Sequence, residues 1–125
     1  MAQKKMILLV EDDPAVSDLV TELLVQNGFE VEKAMDGEEA LQKISPQHDL
    51  IILDLGLPKV SGLEVLKKIK QDEFQRAKPV IILTGKTDSN TIFDAMETGS
   101  YDYLIKPVKL EELIKTIKRA TLPKD

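Results

Sequence analysis

Three acidic residues, Glu11-Asp12-Asp13, follow directly on the apolar run Ile7-Leu8-Leu9-Val10, and a second apolar run, Leu50-Ile51-Ile52-Leu53, ends on Asp54. Parallel sheets bind ligands at the carboxyl ends of their strands. If these two runs are neighbouring strands, like charges meet there. At an effective dielectric of about 20, each carboxylate pair at 4 Å costs roughly 4 kcal/mol. The usual remedy is a hard divalent cation with oxygen ligands and part of its water shell, which is Mg²⁺ chemistry. Two further strand ends carry reactive types: Thr84 closes Val80-Ile81-Ile82-Leu83, and Lys106-Pro107 follows Tyr101 to Ile105. Acids to hold a metal, one carboxylate as nucleophile, and a hydroxyl with an ammonium for phosphoryl oxygens form a phosphoryl-transfer set.

Positioning such a set requires strands that end on one edge, and the chain alternates strand and helix five times. The expected strands are 6–10, 30–34, 50–54, 80–84 and 101–105. The first, third and fourth are near-continuous apolar runs, as in strands buried on both faces. A helix is expected from Pro14 to Asn27, with Asp13 as cap, Gly28 past its end, and Val16, Leu19, Val20, Leu23 and Leu24 on its apolar face. A second runs from about Gly37 to Ile44 behind Asp36, and a third starts at the capping box Ser61 to Glu64. The fourth, about Asp88 to Thr98, offers Ile92, Phe93, Ala95 and Met96, and the fifth runs from about Leu110 to Leu122. Parallel strands joined by helices are right-handed crossovers, so the fold class is α/β, a doubly wound five-stranded sheet with five helices.

The 125 residues are expected to form one domain, 1–125. With no cysteine, disulfides, zinc thiolates and thiol catalysis are excluded. Net charge is −5, from 17 basic and 22 acidic residues, which disfavours direct nucleic-acid binding. The apolar run Met6 to Val10 is too short for a signal peptide or a membrane span, so the expectation is a cytoplasmic chain without membrane contact. The single histidine, His48, lies between Pro46 and Asp49 and is expected to be a solvated loop residue.

Glu11-Asp12-Asp13-Pro14, Asp54-Leu55-Gly56-Leu57-Pro58, Ser61-Gly62, Leu83-Thr84-Gly85 and Gly99 to Pro107 occur in order and on the expected elements. Together they resemble the receiver domain of two-component response regulators. The resemblance implies a flavodoxin-like sheet of strand order 2-1-3-4-5. It places the phospho-acceptor on Asp54, the metal ligands on Asp12, Asp54, Glu11 (through water) and the backbone carbonyl of Gly56, and phosphoryl-oxygen contacts on Lys106 and Thr84. Tyr103 matches the aromatic switch residue paired with Thr84, and a cis bond is implied between Lys106 and Pro107. The implied cofactor is Mg²⁺. The implied partners are a sensor histidine kinase or histidine phosphotransfer protein upstream and an output domain or target protein downstream. A phosphorylation-dependent dimer is a further state open to such a chain. Apart from its own phosphorylation and dephosphorylation, no enzyme activity is expected.

Three rivals share features with this reading. A phosphatase of the haloacid dehalogenase type needs a second aspartate two residues after the nucleophile, where this chain has Gly56. A flavodoxin needs a phosphate loop after the first strand, where Glu11-Asp12-Asp13 would repel the anion. A pseudo-receiver working as an interaction module without phosphorylation remains the alternative, although such domains usually lack a key residue that is present here. Two positions flanking the phosphoryl group, Gly56 and Lys86, depart from common choices and bear on how easily water reaches it.

Overall fold

The computed structural model describes residues 4–122, and the positions on which the terminal readings rest, 1–3 and 123–125, lie outside it. In chain order the elements are β1 (Met6–Val10), α1 (Pro14–Gln26), β2 (Glu30–Ala34), α2 (Gly37–Lys43), β3 (Leu50–Leu53), α3 (Gly62–Gln71), β4 (Val80–Thr84), α4 (Ser89–Thr98), β5 (Asp102–Ile105) and α5 (Leu110–Ala120). The sheet is parallel throughout, in the order β2-β1-β3-β4-β5. Each expected element forms, with ends shifted by a residue or two.

Alternation along the strands divides the core in two. Leu8, Val10, Ile51, Leu53, Val80 and Ile82 face α2, α3 and α4 through Ala40, Val65, Leu66, Ile69 and Ala95. Ile7, Leu9, Leu50, Ile52, Ile81 and Leu83 face α1 and α5 through Val20, Leu24, Leu113 and Ile117. Four helices start on side-chain caps, which satisfy amides that have no partner inside the helix. Asp13 accepts from the Ala15 N–H at 3.0 Å, Asp36 from Glu39 at 2.8 Å, Ser61 from Glu64 at 3.2 Å and Asp88 from Thr91 at 3.0 Å.

Three expectations about burial need correction. Only Ala95 of α4 is buried, whereas Phe93 and Met96 are each 63% exposed. The helix leans on α3 and β5 rather than across the sheet, so a narrow strip of it reaches the core. Leu19 of α1 is likewise exposed, because Ser17, Val20 and Leu24 take the inward stripe.

His48 is buried, not solvated. Its Nδ1 accepts the Ser45 N–H at 3.1 Å, which leaves the proton on Nε2, 2.7 Å from Glu32 Oε1. Beside it, Lys78 Nζ donates to the carbonyls of Ser45 and His48 at 2.6 and 2.5 Å, and Asp49 Oδ2 accepts the Met6 N–H at 2.8 Å. Polar neighbours in a loop do not reveal whether the ring turns inward, so composition misplaced this residue. The network ties the start of β3 to β1, β2 and the entry to β4.

Candidate functional site

The register fixes which residues meet at the carboxyl edge. Val10 pairs with Leu53, so Glu11 and Asp54 leave adjacent strands at one level, and the Asp54 N–H donates to the Val10 carbonyl at 3.1 Å. Thr84 ends β4 opposite Ile105 of β5, and the Lys106 N–H donates to the Thr84 carbonyl at 2.9 Å. Four strands adjacent in space thus deliver Glu11, Asp54, Thr84 and Lys106 to one crevice.

Every polar atom of the Asp54 carboxylate is engaged. Oδ1 accepts from the Thr84 hydroxyl at 2.7 Å and from the Gly56 N–H at 3.0 Å, and Oδ2 accepts from Lys106 Nζ at 2.9 Å. Lys106 Nζ also donates to Glu11 Oε1 at 2.5 Å, crossing over the ends of β4 and β3. Glu11 and Asp54 are buried, at 3% and 7% exposure. The ammonium between them therefore offsets much of the repulsion that the sequence foretold. The Lys106–Pro107 peptide is cis.

The protonation states follow from these contacts. Burial pushes the Asp54 carboxyl up, but the hydrogen bonds from Thr84, Gly56 and Lys106 outweigh it and hold the group below the ordinary aspartate value. Glu11 goes the other way, because burial outweighs its contacts with Lys106 and the Asp13 amide. Burial disfavours the Lys106 cation, yet its two carboxylate partners raise its pKa overall. At neutral pH Asp54 is an anion held by three donors.

One carboxylate oxygen from each of Glu11, Asp12 and Asp54 lies within 4.8 Å of the others. Asp12 is exposed, whereas its two partners are buried. An all-oxygen donor set with one open side fits a hard cation that keeps some of its water. Asp13 stands apart as the cap of α1.

The sequence-expected residues Glu11, Asp12, Asp54, Thr84 and Lys106 thus converge, and Gly56 meets Asp54 through its amide. Tyr103 does not touch Asp54. Its hydroxyl donates to the Lys86 backbone carbonyl at 2.9 Å, while its ring packs beside the core on the α3 and α4 side. The Lys86 N–H in turn donates to the Thr84 hydroxyl oxygen at 3.5 Å, so Lys86 links Thr84 and Tyr103 through its backbone. Sequence reasoning weighed only its side chain, since a backbone carbonyl has no residue signature. The Lys86 stem and Asp54 both border Gly56: a Cβ placed there would lie 3.9 Å from both Lys86 Cε and Asp54 Oδ1.

Comparison with known proteins places the sequence and the fold in one family. The family model described as "Response regulator receiver domain" matches residues 7–118. The transcriptional regulatory protein CrdR of Helicobacter pylori is 41% identical over 117 residues, covering 93% of this chain and 54% of that protein. The response regulator ArlR of Staphylococcus aureus is 38% identical over 113 residues, covering 90% and 50%. The chain thus spans about half the length of the curated relatives it matches. Among solved structures, a CheY-like response regulator receiver domain protein of Methanospirillum hungatei superposes with a TM-score of 0.88 at 31% identity, covering 94% of this chain and 93% of that one. The chemotaxis protein CheY4 of Vibrio cholerae gives 0.84 at 32%, covering 94% and 98%. The chain belongs to the response regulator receiver domain family.

Proposed function

We propose that this receiver domain is a phosphorylation switch in which Asp54 takes a phosphoryl group from a phosphohistidine of a sensor kinase or histidine phosphotransfer protein. The observation that carries the proposal is the convergence of Thr84, the Gly56 amide and Lys106 on one ionised, buried carboxylate. An Asp54 oxygen attacks phosphorus, the N–P bond of the phosphohistidine breaks, and the imidazole leaves to be protonated by solvent. Lys106 then follows the phosphoryl oxygens, and the Thr84 hydroxyl, already aimed at Asp54, donates to one of them. Glu11, Asp12, Asp54 and the Gly56 carbonyl would hold Mg²⁺, which when bound neutralises charge on the transferring group.

The output follows the hydrogen-bond route from Thr84 through Lys86 to Tyr103, reshaping the face made by α4, β5 and α5. That face would then engage an output domain, a target protein or a second copy. The receiver unit lies within residues 1–125 and works in the cytoplasm, with no direct nucleic-acid or membrane contact of its own. Among the described residues no helix is long and apolar enough to cross a membrane.

The test is labelling with a small phosphodonor. Wild type should acquire a hydroxylamine-sensitive phosphoryl group in Mg²⁺ and lose the reaction in EDTA, and Asp54→Asn and Asp12→Ala should not label. Wild-type rates in Asp54→Asn refute the acceptor, and full rates in EDTA refute the metal. A chain that never labels, with its metal bound, is the interaction-only pseudo-receiver.

A further inference from the structure

The loop between β3 and α3, which carries Gly56, is fixed at two places. Near α3, a Cβ on Gly62 would lie 2.2 Å from the Asp54 carbonyl oxygen, and the Gly62 N–H donates to the Leu55 carbonyl at 3.1 Å. In mid-loop, the Val60 carbonyl presses on Gly37 at the start of α2 so closely that a Cβ there would sit 2.0 Å from it. Directly before Val60 lies Lys59, with φ +67°, the only non-glycine residue of positive φ among the described residues. A lysine adopts that left-handed conformation at a cost, and such positions persist where their surroundings over-determine them.

The surroundings here include a specific partner. Lys59 Nζ lies 3.4 Å from Asp36 Oδ2, while Asp36 Oδ1 caps α2 through the Glu39 N–H. Asp36 thus holds the helix with one oxygen and faces the loop with the other. A glycine at 59 would fit the backbone without strain, yet could not reach Asp36. The lysine trades local stability for a tether between α2 and the loop that runs to the acceptor.

We infer that Lys59 is a positioning residue of the phosphorylation site: its ion pair with Asp36 docks the β3–α3 loop on α2 and so sets where Gly56 stands beside Asp54. The inference rests on the proposed Mg²⁺-dependent function for its consequence at the metal, but not for its consequence in the loop. Neither residue touches the acceptor, and both act through the backbone between them.

The test compares wild type with Lys59→Gly, Lys59→Arg and Asp36→Asn, each with an intact acceptor and intact acidic residues. Unfolding by urea in EDTA reads stability. Exchange of the Gly56 amide in EDTA reads the loop, since that N–H is held by Asp54 Oδ1. Amide shifts during a Mg²⁺ titration read affinity. Lys59→Gly should keep or raise the urea midpoint while its Gly56 amide exchanges faster. Its Mg²⁺ dissociation constant should rise roughly three- to tenfold, toward the low end of outer-shell effects on metals. Asp36→Asn keeps the capping oxygen and should weaken Mg²⁺ to a similar degree, and Lys59→Arg should restore wild-type behaviour. A purely structural lysine would move stability and affinity together.

Gly56 exchange and Mg²⁺ affinity within twofold of wild type in both Lys59→Gly and Asp36→Asn overturn the inference. If wild type binds no Mg²⁺, the metal reading fails first, and Gly56 exchange then decides the tether alone.

Discussion

Replacing Lys106 by methionine removes the one cation shared by two buried carboxylates and keeps most of the stem. At an effective dielectric of about 20, an ammonium at 2.5 or 2.9 Å from a carboxylate oxygen gains roughly 6 kcal/mol gross from each contact. Desolvation offsets most of that, and losing one partner of a buried pair costs about 3–5 kcal/mol net. The Lys106 side chain keeps 26% exposure, and solvent screening brings the expected loss to about 2–3 kcal/mol. Urea unfolding at pH 7 in EDTA, followed by far-UV circular dichroism, measures it. Mg²⁺ is then a replacement counter-ion, so the stability gained from saturating Mg²⁺ should be larger in the mutant than in wild type. The pH dependence has a fixed sign. The Lys106 pKa is raised, so its contribution is complete below the ordinary 10.5 and is lost as pH climbs through the higher folded value. The Asp54 pKa is lowered, so its share is present above the ordinary 3.8 and is lost as pH falls through the lower folded value. The gap between wild type and mutant should therefore hold steady through neutral pH and close at both extremes. A mutant within about 0.5 kcal/mol of wild type in EDTA, the usual range for surface changes, refutes the shared-cation account. A Mg²⁺ gain no larger than that of wild type refutes it equally.

Thr84→Val keeps the shape of the side chain and removes the donor to Asp54 Oδ1; it should cost about 1.5 kcal/mol in urea unfolding and uncouple phosphorylation from the Tyr103 environment, read by tyrosine fluorescence. Gly62→Ala should cost about 3 kcal/mol, because its Cβ meets the Asp54 carbonyl at 2.2 Å and the backbone must move; a thermal melt close to wild type refutes that contact. Phospho-Asp54 should outlast that of rapidly self-clearing chemotaxis receivers, since neither Gly56 nor Lys86 positions an attacking water. Gly56→Asn, whose Cβ would make only ordinary contacts with Asp54 and Lys86, and Lys86→Glu should each speed phosphate loss; unchanged decay in both removes these positions from the clock.

The residues that were legible in the sequence are those whose type and place in the pattern determine their surroundings. A short, isoleucine-rich apolar run such as Leu50 to Leu53, set between helical patterns, reads as a strand buried on both faces, and a carboxylate at its end then falls at the sheet edge. That is why Glu11, Asp54, Thr84 and Lys106 were identifiable before their distances were. Asp13, Asp36 and Ser61 were legible as caps for the same reason, whereas Asp88 was read as the first residue of α4 and is its cap. Rotation about a helix axis was not legible. Leu19, Phe93 and Met96 satisfy an apolar period, but the tilt of each helix on the sheet decides which side is covered. Contacts made by backbone atoms were also invisible, as with the Lys86 carbonyl under Tyr103 or the Val60 carbonyl against Gly37. His48 belongs with these, since one turn of the loop separates a solvated ring from a buried one.

The network around His48 and Lys78 bears on how the molecule moves. It lies toward the amino edge of the sheet, opposite the acidic crevice, where His48, Lys78, Asp49 and the Met6 amide link the entries to β1, β3 and β4, and Glu32 joins them from the middle of β2. A sheet pinned along one border is a hinged plate rather than a sliding stack. Charge arriving at the free border cannot be absorbed by strands shearing past one another. The displacement is expected instead in the loops of that border, with amide exchange changing there on phosphorylation while the pinned border keeps its protection.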